Sequence, residues 1–274
     1  MSTLFLVGTP IGNMGDLSPR AVEVLRAVGL VCCEDTRRTG LMLNNLGVDA
    51  TLMRLDEHTE VASIPRVLDA LNDGRDVALV SDAGTPGISD PGAKLVAAVV
   101  ESRHDVTAVP GASAALAALT ISGLPTDRFV FEGFLPRSGA ERTSRLAAVA
   151  RESRTVVLFE APHRLERTLD DLVASCGDDR PVAVCRELTK MHEETLRGSL
   201  SDVRARVGEP RGEYVIVLGG VSDSGDTSPE EIDRMLRHEL ASGASTRDAA
   251  AAVAEMTGTS RKALYARALE LGRG

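Results

Sequence analysis

The sequence predicts an α/β protein made of two α/β domains and a small helical tail. Three observations carry this. Short apolar segments alternate with longer helix-periodic ones through the first half of the 274 residues. From Arg128 onward the strand-like segments follow one another more closely, as in a mixed sheet. Beyond Ser228 only helix-like segments remain. The length by itself fits two or three domains.

The elements follow in order. Leu4–Gly8 is a short apolar strand. Ser18 is an N-cap and Pro19 occupies the first helical position, opening a helix to about Val28. Leu30–Glu34 reads as a buried strand, Arg38–Leu46 as a helix, Thr51–Leu55 as a strand and Val61–Asn72 as a helix. Asp76–Ser81 is a strand, Gly92–Ser102 a helix, Asp105–Val109 a strand and Ala112–Ser122 a helix of small residues. Strands alternating with helices favour a largely parallel sheet. Gly123-Leu124-Pro125 breaks the pattern. Strands at Arg128–Leu135, Thr155–Glu160, Pro181–Glu187, Glu194–Ser199 and Tyr214–Leu218 then enclose two helices, Gly139–Ser153 and His163–Cys176. Gly219–Ser228 is polar and glycine-rich, a linker by composition. Helices at Pro229–Ala241, Thr246–Met256 and Arg261–Leu271 complete the chain, with Ser245 and Ser260 as N-caps and Gly258 between the last two. The expected domains are residues 1–122 and 123–220, a linker at 221–228 and a helical unit at 229–274.

Composition excludes several functions. Net charge is −9, against the basic balance of a protein that coats nucleic acid. Aromatics are 3% with no Trp, too few for a base-stacking platform. From Arg234 onward, however, seven basic residues face four acidic ones, so positive charge is local to the tail. No apolar run approaches the roughly 18–20 residues that cross a bilayer, so no membrane contact is expected. The Met1-Ser2-Thr3 start has neither basic leader nor cleavage pattern, so a cytoplasmic location is expected. The cysteines (32, 33, 176, 185) and histidines (58, 104, 163, 192, 238) lack ligand spacing. Reduced thiols and no metal are expected.

Three glycine-rich loops leave strand ends, the edge where open α/β sheets bind ligands. The first, Gly8–Asp16, invites a dinucleotide reading with Glu34 or Asp35 as ribose acceptor. The long gap to the helix cap and the missing donor at Pro10 argue against it. The second, Ser81–Gly92, is longer than an ordinary βα connection and carries hydroxyls between two aspartates, which favours a binding loop. The third, Val109–Ser113, suits close approach of a ligand or of a packing helix equally. Polar groups at further strand ends, in Glu34–Arg38, Glu160–Arg164 and Arg186–Lys190, could ring one cleft with both signs of charge. P-loop, zincin and nucleophile-elbow patterns are absent.

Taken in order, VGTPIGNMGDLSPRA, CEDTRRTG, SDAGTPGISDPG, VPGASAALAAL, GLPTDRFVFEGFLPR, FEAPHR, RELTK and GEYVIVLGG resemble the small-subunit ribosomal RNA methyltransferase I family of the tetrapyrrole methylase superfamily. The resemblance covers about residues 4–220, and the tail is similar to that family's C-terminal helical unit. It implies S-adenosylmethionine held between two α/β domains, a homodimer, and 2′-O-methylation of a cytidine ribose in the decoding region of 16S ribosomal RNA within the small subunit. It implies cofactor contacts from Asp82, Ala83, Gly84, Thr85, Ile88, Ser89, Pro110, Ser113, Phe159 and Val215. Glu160 and the Glu213–Val217 strand are expected to close over the adenine. Asn13 stands where the wider superfamily carries an acid, which suggests an acceptor other than a tetrapyrrole.

Methyl transfer from a sulfonium gains chiefly from alignment, and a base near the hydroxyl adds further rate. The candidates are Lys190, Asp35 and Glu160, with Lys190 as base or hydroxyl-orienting group. Asn13, Arg37, Arg164, Arg261 and Lys262 are the expected RNA contacts. Two alternatives stand beside this reading. One keeps the fold and changes the acceptor to a tetrapyrrole or a diphthamide precursor. The other reads the tail, with Arg261, Lys262, Tyr265 and Arg267, as a helix-turn-helix DNA-binding regulator.

Overall fold

The computed structural model describes residues 2–221, 229–257 and 259–271. Its first sheet is wholly parallel. The strands are β1 (Thr3–Val7), β2 (Leu30–Cys33), β3 (Thr51–Arg54), β4 (Val77–Val80) and β5 (Asp105–Val109), in the order β3-β2-β4-β1-β5. That order differs from the dinucleotide-binding one, in agreement with the poor loop spacing. Strands β2 and β4 are apolar and buried at every position, because both faces of the sheet are covered. Helices α1 (Pro19–Ala27) and α2 (Thr36–Asn45) pack on one face. Helices α3 (Glu60–Asn72) and α4 (Ala93–Glu101) pack on the other.

The second sheet is mixed, as the strand spacing predicted. Strands β6 (Phe129–Phe134), β7 (Thr155–Glu160), β8 (Pro181–Arg186), β9 (Glu194–Ser199) and β10 (Tyr214–Leu218) run in the order β6-β7-β10-β8-β9. Only β6 and β7 are parallel. Leucines of α6 (Gly139–Arg151), α7 (Pro162–Cys176) and α8 (Leu200–Arg206) cover one face. The other face is covered by α5 (Ala114–Ile121), whose Ala115, Ala118 and Leu119 pack on Val157, Ala183, Val215 and Val217. Helix α5 thus follows the first sheet in sequence and belongs to the core of the second. Its small residues serve helix packing.

Two elements escaped the sequence pattern: a 3-10 turn at Met14–Asp16 and α8. Both are shorter than the window in which a helical period declares itself. Helix α2 begins two residues early because Asp35 caps it, accepting from Arg37 N. The linker starts later than its composition implied. Gly219 N donates to Pro181 O and Val221 N to Glu152 O, which ties residues 219–221 to the second sheet. Residues 222–228 lie outside the described ones. The tail forms α9 (Pro229–Ala241), α10 (Thr246–Thr257) and α11 (Arg261–Leu271) around their own core of Leu236, Ala250, Val253, Leu264 and Ala268. The predicted Gly258 helix end lies outside the described residues.

All four cysteines are free thiols. Burial, with the adjacent Cys33 adding, pushes Cys32 up to about 12. Among the described residues no helix is long and apolar enough to cross a membrane, and no cluster of metal-ligating side chains forms.

Candidate active site between the two sheets

The three glycine-rich loops leave the C-terminal ends of β1, β4 and β5 and are joined to one another. Thr9 N donates to Gly84 O at 2.9 Å and Gly84 N returns to Thr9 O at 3.2 Å. Thr9 Oγ1 also donates to Ser81 O at 3.1 Å. Gly8 and Gly111 touch backbone to backbone, leaving room for a Cβ on neither. The far end of the second loop is held by Glu60, a buried residue of α3. Its Oε1 accepts from Gly92 N, Lys94 N and Leu95 N at 3.0, 2.9 and 3.2 Å, where α4 begins. A carboxylate there satisfies orphan amides and complements the helix dipole.

Two adjoining cavities open at these loops. The first, of about 310 Å³, lies between the second loop and the second sheet. Ile11, Ile88, Phe134, Phe159 and Val215 supply an apolar lining, and Thr85, Ser89, Asp90, Ser113 and Glu213 supply polar groups. Phe134 and Phe159 meet edge to face with ring centroids 5.7 Å apart. Flat apolar walls with carboxylates alongside fit an adenosyl sulfonium, whose base is planar and whose charge is positive. The second cavity, of about 470 Å³, is lined by Pro10, Gly12, Met14, Arg38, Thr39, Met42, Asn45, Asp82 and Lys190, among others. Ile11, Ala83 and Glu213 line both.

Acid is concentrated here. Burial foremost, and then the Glu34 charge, pushes Asp90 up to about 6. Burial, with Asp82 and Asp56 nearby, also raises Glu34. Across the junction Lys190 Nζ donates to Glu187 Oε1 at 2.8 Å and to Glu213 Oε2 at 2.9 Å. Partial burial alone would lower Lys190, but its two carboxylate partners outweigh that and raise it.

Most expected cofactor residues meet in the first cavity: Ala83, Gly84, Thr85, Ile88, Ser89, Ser113, Phe159 and Val215. Two do not. Asp82 faces the second cavity, because its carboxylate accepts from Asp35 N and pairs with Arg38. Pro110 is exposed and lines neither cavity. The expected contacts did not include Ile11 and Phe134, which reach the cavity from the first loop and from β6, nor Asp90 near the end of the second loop.

The three base candidates fare less well. Glu160 lines the first cavity, but its side chain is 0% exposed. The carboxylate is occupied by Thr168 Oγ1, Ala161 N and Arg164, so it serves structure and not proton transfer. Asp35 is held well below the usual carboxylate range, chiefly by its hydrogen bonds from Arg37, and is a weak base. Lys190 is a cation between carboxylates, which opposes the base role and leaves the orienting one.

Of the expected RNA contacts, Arg164 is corrected. Its Nη2 donates to Leu135 O and its Nε pairs with Glu160, so it braces the second sheet. Asn13 Oδ1 accepts from Gly15 N in the first loop. Arg37 pairs with Asp35 yet leaves its side chain 88% exposed. Arg261 and Lys262 are exposed on α11. Arg267 is engaged by Asp233 and Glu270, so it leaves the basic face expected for a DNA reader.

Comparison with known proteins agrees with this geometry. Residues 3–204 match the family model described as Tetrapyrrole (Corrin/Porphyrin) Methylases, and residues 226–272 match that of the RsmI C-terminal HTH domain. A Synechocystis relative named ribosomal RNA small subunit methyltransferase I is 46% identical over 275 residues, covering 99% of both chains. The Escherichia coli O157:H7 protein of that name is 42% identical, covering 97% of this chain and 94% of that one. Among solved structures, the Thermus thermophilus uroporphyrin-III C-methyltransferase complexed with S-adenosylhomocysteine superposes with a TM-score of 0.58. Identity there is 18%, over 80% of this chain and 97% of that one, so this likeness speaks for the fold. The chain therefore belongs to the tetrapyrrole methylase family of S-adenosylmethionine-dependent methyltransferases, in its ribosomal RNA small subunit methyltransferase I branch.

Proposed function

We propose that the protein methylates the ribose 2′-hydroxyl of a cytidine in the decoding region of 16S ribosomal RNA, using S-adenosylmethionine. The observation that carries this reading is the pair of cavities sharing a wall at Ile11, Ala83 and Glu213. One is apolar and aromatic, and suits the adenosyl donor. The other is edged by Lys190, Arg38, Asn45 and Thr39, and suits a single unstacked nucleotide. The bound donor supplies an activated methyl group on a sulfonium.

The chain's own residues do the rest. The joined loops fix the distance between the two cavities, so proximity and alignment lower the barrier. Lys190, held as a cation, orients the ribose oxygen. Arg37, Asn13 and the tail residues Arg261 and Lys262 meet phosphates, giving an acidic protein a local docking surface. A homodimer and a cytoplasmic location belong to the same reading. The family branch supports the ribosomal substrate, and the cavity geometry supports a nucleoside at the acceptor position.

The test is incubation with radiolabelled S-adenosylmethionine and small ribosomal subunits from cells lacking this methylation, with naked ribosomal RNA and a tetrapyrrole precursor alongside. Label at an alkali-resistant cytidine ribose is expected. Label in the tetrapyrrole, or in no RNA despite cofactor binding, overturns the reading.

A further inference from the structure

We propose that Glu213 is the group that takes the proton from the acceptor hydroxyl, with Lys190 and Glu187 positioning it. The inference deepens the proposed reaction and rests on it. Three residues line both cavities, and Glu213 is the ionisable one among them. A base must stand where donor and acceptor meet, and that junction is where Glu213 stands.

The surroundings are cut to hold this carboxylate. Glu213 Oε2 accepts from Lys190 Nζ, while its backbone N–H donates to Glu187 Oε1 at 2.9 Å. Its side chain is 69% exposed toward the cavities, and Oε1 accepts no hydrogen bond among the described residues. Gly212 adopts a φ of +83°, and Glu187 fills the space that a Cβ would need. Gly12 likewise leaves the space through which the Lys190 side chain crosses to the first loop. Glu187 and Thr189 hold left-handed backbone at φ +51° and +66° without being glycine. Thr189 Oγ1 is buried and unpartnered among the described residues. Strain and unsatisfied polarity of this kind persist where the fold over-determines a functional geometry.

The step balances. The ribose O–H proton passes to Glu213 Oε1 as the oxygen bonds to the methyl carbon. The carbon–sulfur bond breaks with its electron pair left on sulfur, giving a neutral thioether. Lys190 keeps its proton throughout and holds Glu213 Oε2 in place, leaving Oε1 to the hydroxyl.

The experiment measures single-turnover methylation of small subunits across pH, together with calorimetric affinity for S-adenosylmethionine. Glu213→Gln is expected to lose roughly 10²- to 10⁴-fold in rate. Cofactor affinity is expected to fall far less than the rate, since Asp90 remains beside the donor, and the acid limb of the pH profile to disappear. Glu213→Asp restores part of the rate and the acid limb. Gly12→Ala, which displaces Lys190, is expected to lower the rate while leaving the acid limb in place. A Glu213→Gln enzyme that turns over within a few fold of wild type, or keeps the wild-type acid limb, overturns the assignment. Wild-type enzyme that labels no RNA overturns the parent reading instead, so the two failures are distinct.

Discussion

Asp90 is a residue whose ionisation reports on the first cavity, the one proposed for the donor. Its carboxyl ordinarily titrates near 3.8, and burial foremost, then Glu34, pushes it up to about 6. Between about pH 4 and pH 6 the folded chain therefore keeps a proton that the unfolded chain has lost. The sign follows: stability of the unliganded protein falls as pH rises through that window. Asp90→Asn removes this slope and raises the melting temperature above pH 6. Cationic S-adenosylmethionine favours the ionised carboxylate, so its affinity rises from pH 5 to pH 7. Calorimetry at a series of pH values checks both, and an affinity that is flat in wild type contradicts the placement of Asp90 beside the donor. Residue identity alone could mark Asp90 as one acid of a loop. The upward shift comes first from burial and then from Glu34 at the end of another strand, neither of which a local pattern contains.

Helix α4 and the loop before it depend on one side chain from another helix. Glu60 caps three amides at the start of α4 and so fixes where the Ser81–Gly92 loop ends. Hydrogen bonds to a charged group are worth about 1.5–3 kcal/mol each, and buried amides left unpaired cost comparable amounts. These contributions are not additive, so Glu60→Leu is expected to destabilise by about 3–5 kcal/mol. That corresponds to a melting point lower by roughly 6–20 °C. Cofactor affinity should fall with it, because the loop loses its anchor. Thermal unfolding within a degree or two of wild type would contradict the capping role. At this scale the sequence was informative: β7, β9, β10, α9 and α11 have the predicted bounds. The misses, α8 and the Met14–Asp16 turn, are too short to show a hydrophobic period and begin at the caps Ser199 and Asn13.

The whole molecule is built from cores that do not all respect the chain order. Helix α5 closes the second sheet, so the two sheets share a seam along which both cavities lie. The tail, by contrast, has a core of its own. Ending the chain after Val221 is therefore expected to leave cofactor affinity within about threefold of wild type. Methylation of ribosomal subunits is expected to fall at least tenfold and to lose part of its salt dependence, as basic phosphate contacts are removed. Competition binding at several salt concentrations checks this, and unchanged subunit affinity would remove Arg261 and Lys262 from the RNA surface.

The sequence by itself determined the class of fold, the alternation of elements and the three glycine loops at strand ends. These follow from hydrophobic period, helix caps and turn chemistry, all of which act over a few residues. Its motifs also placed the chain in its family, and they named many of the residues that line the first cavity. Only the tertiary structure decided which polar side chains remain available. It withdrew Glu160 and Arg164 into mutual pairing, turned Asp82 to the second cavity and set Glu213 at the junction held by Lys190. The physical reason is that charge pairing, burial and cavity walls are made between residues far apart in sequence. A motif records which side chains are present, and the packing around them decides which ones meet solvent, substrate or each other.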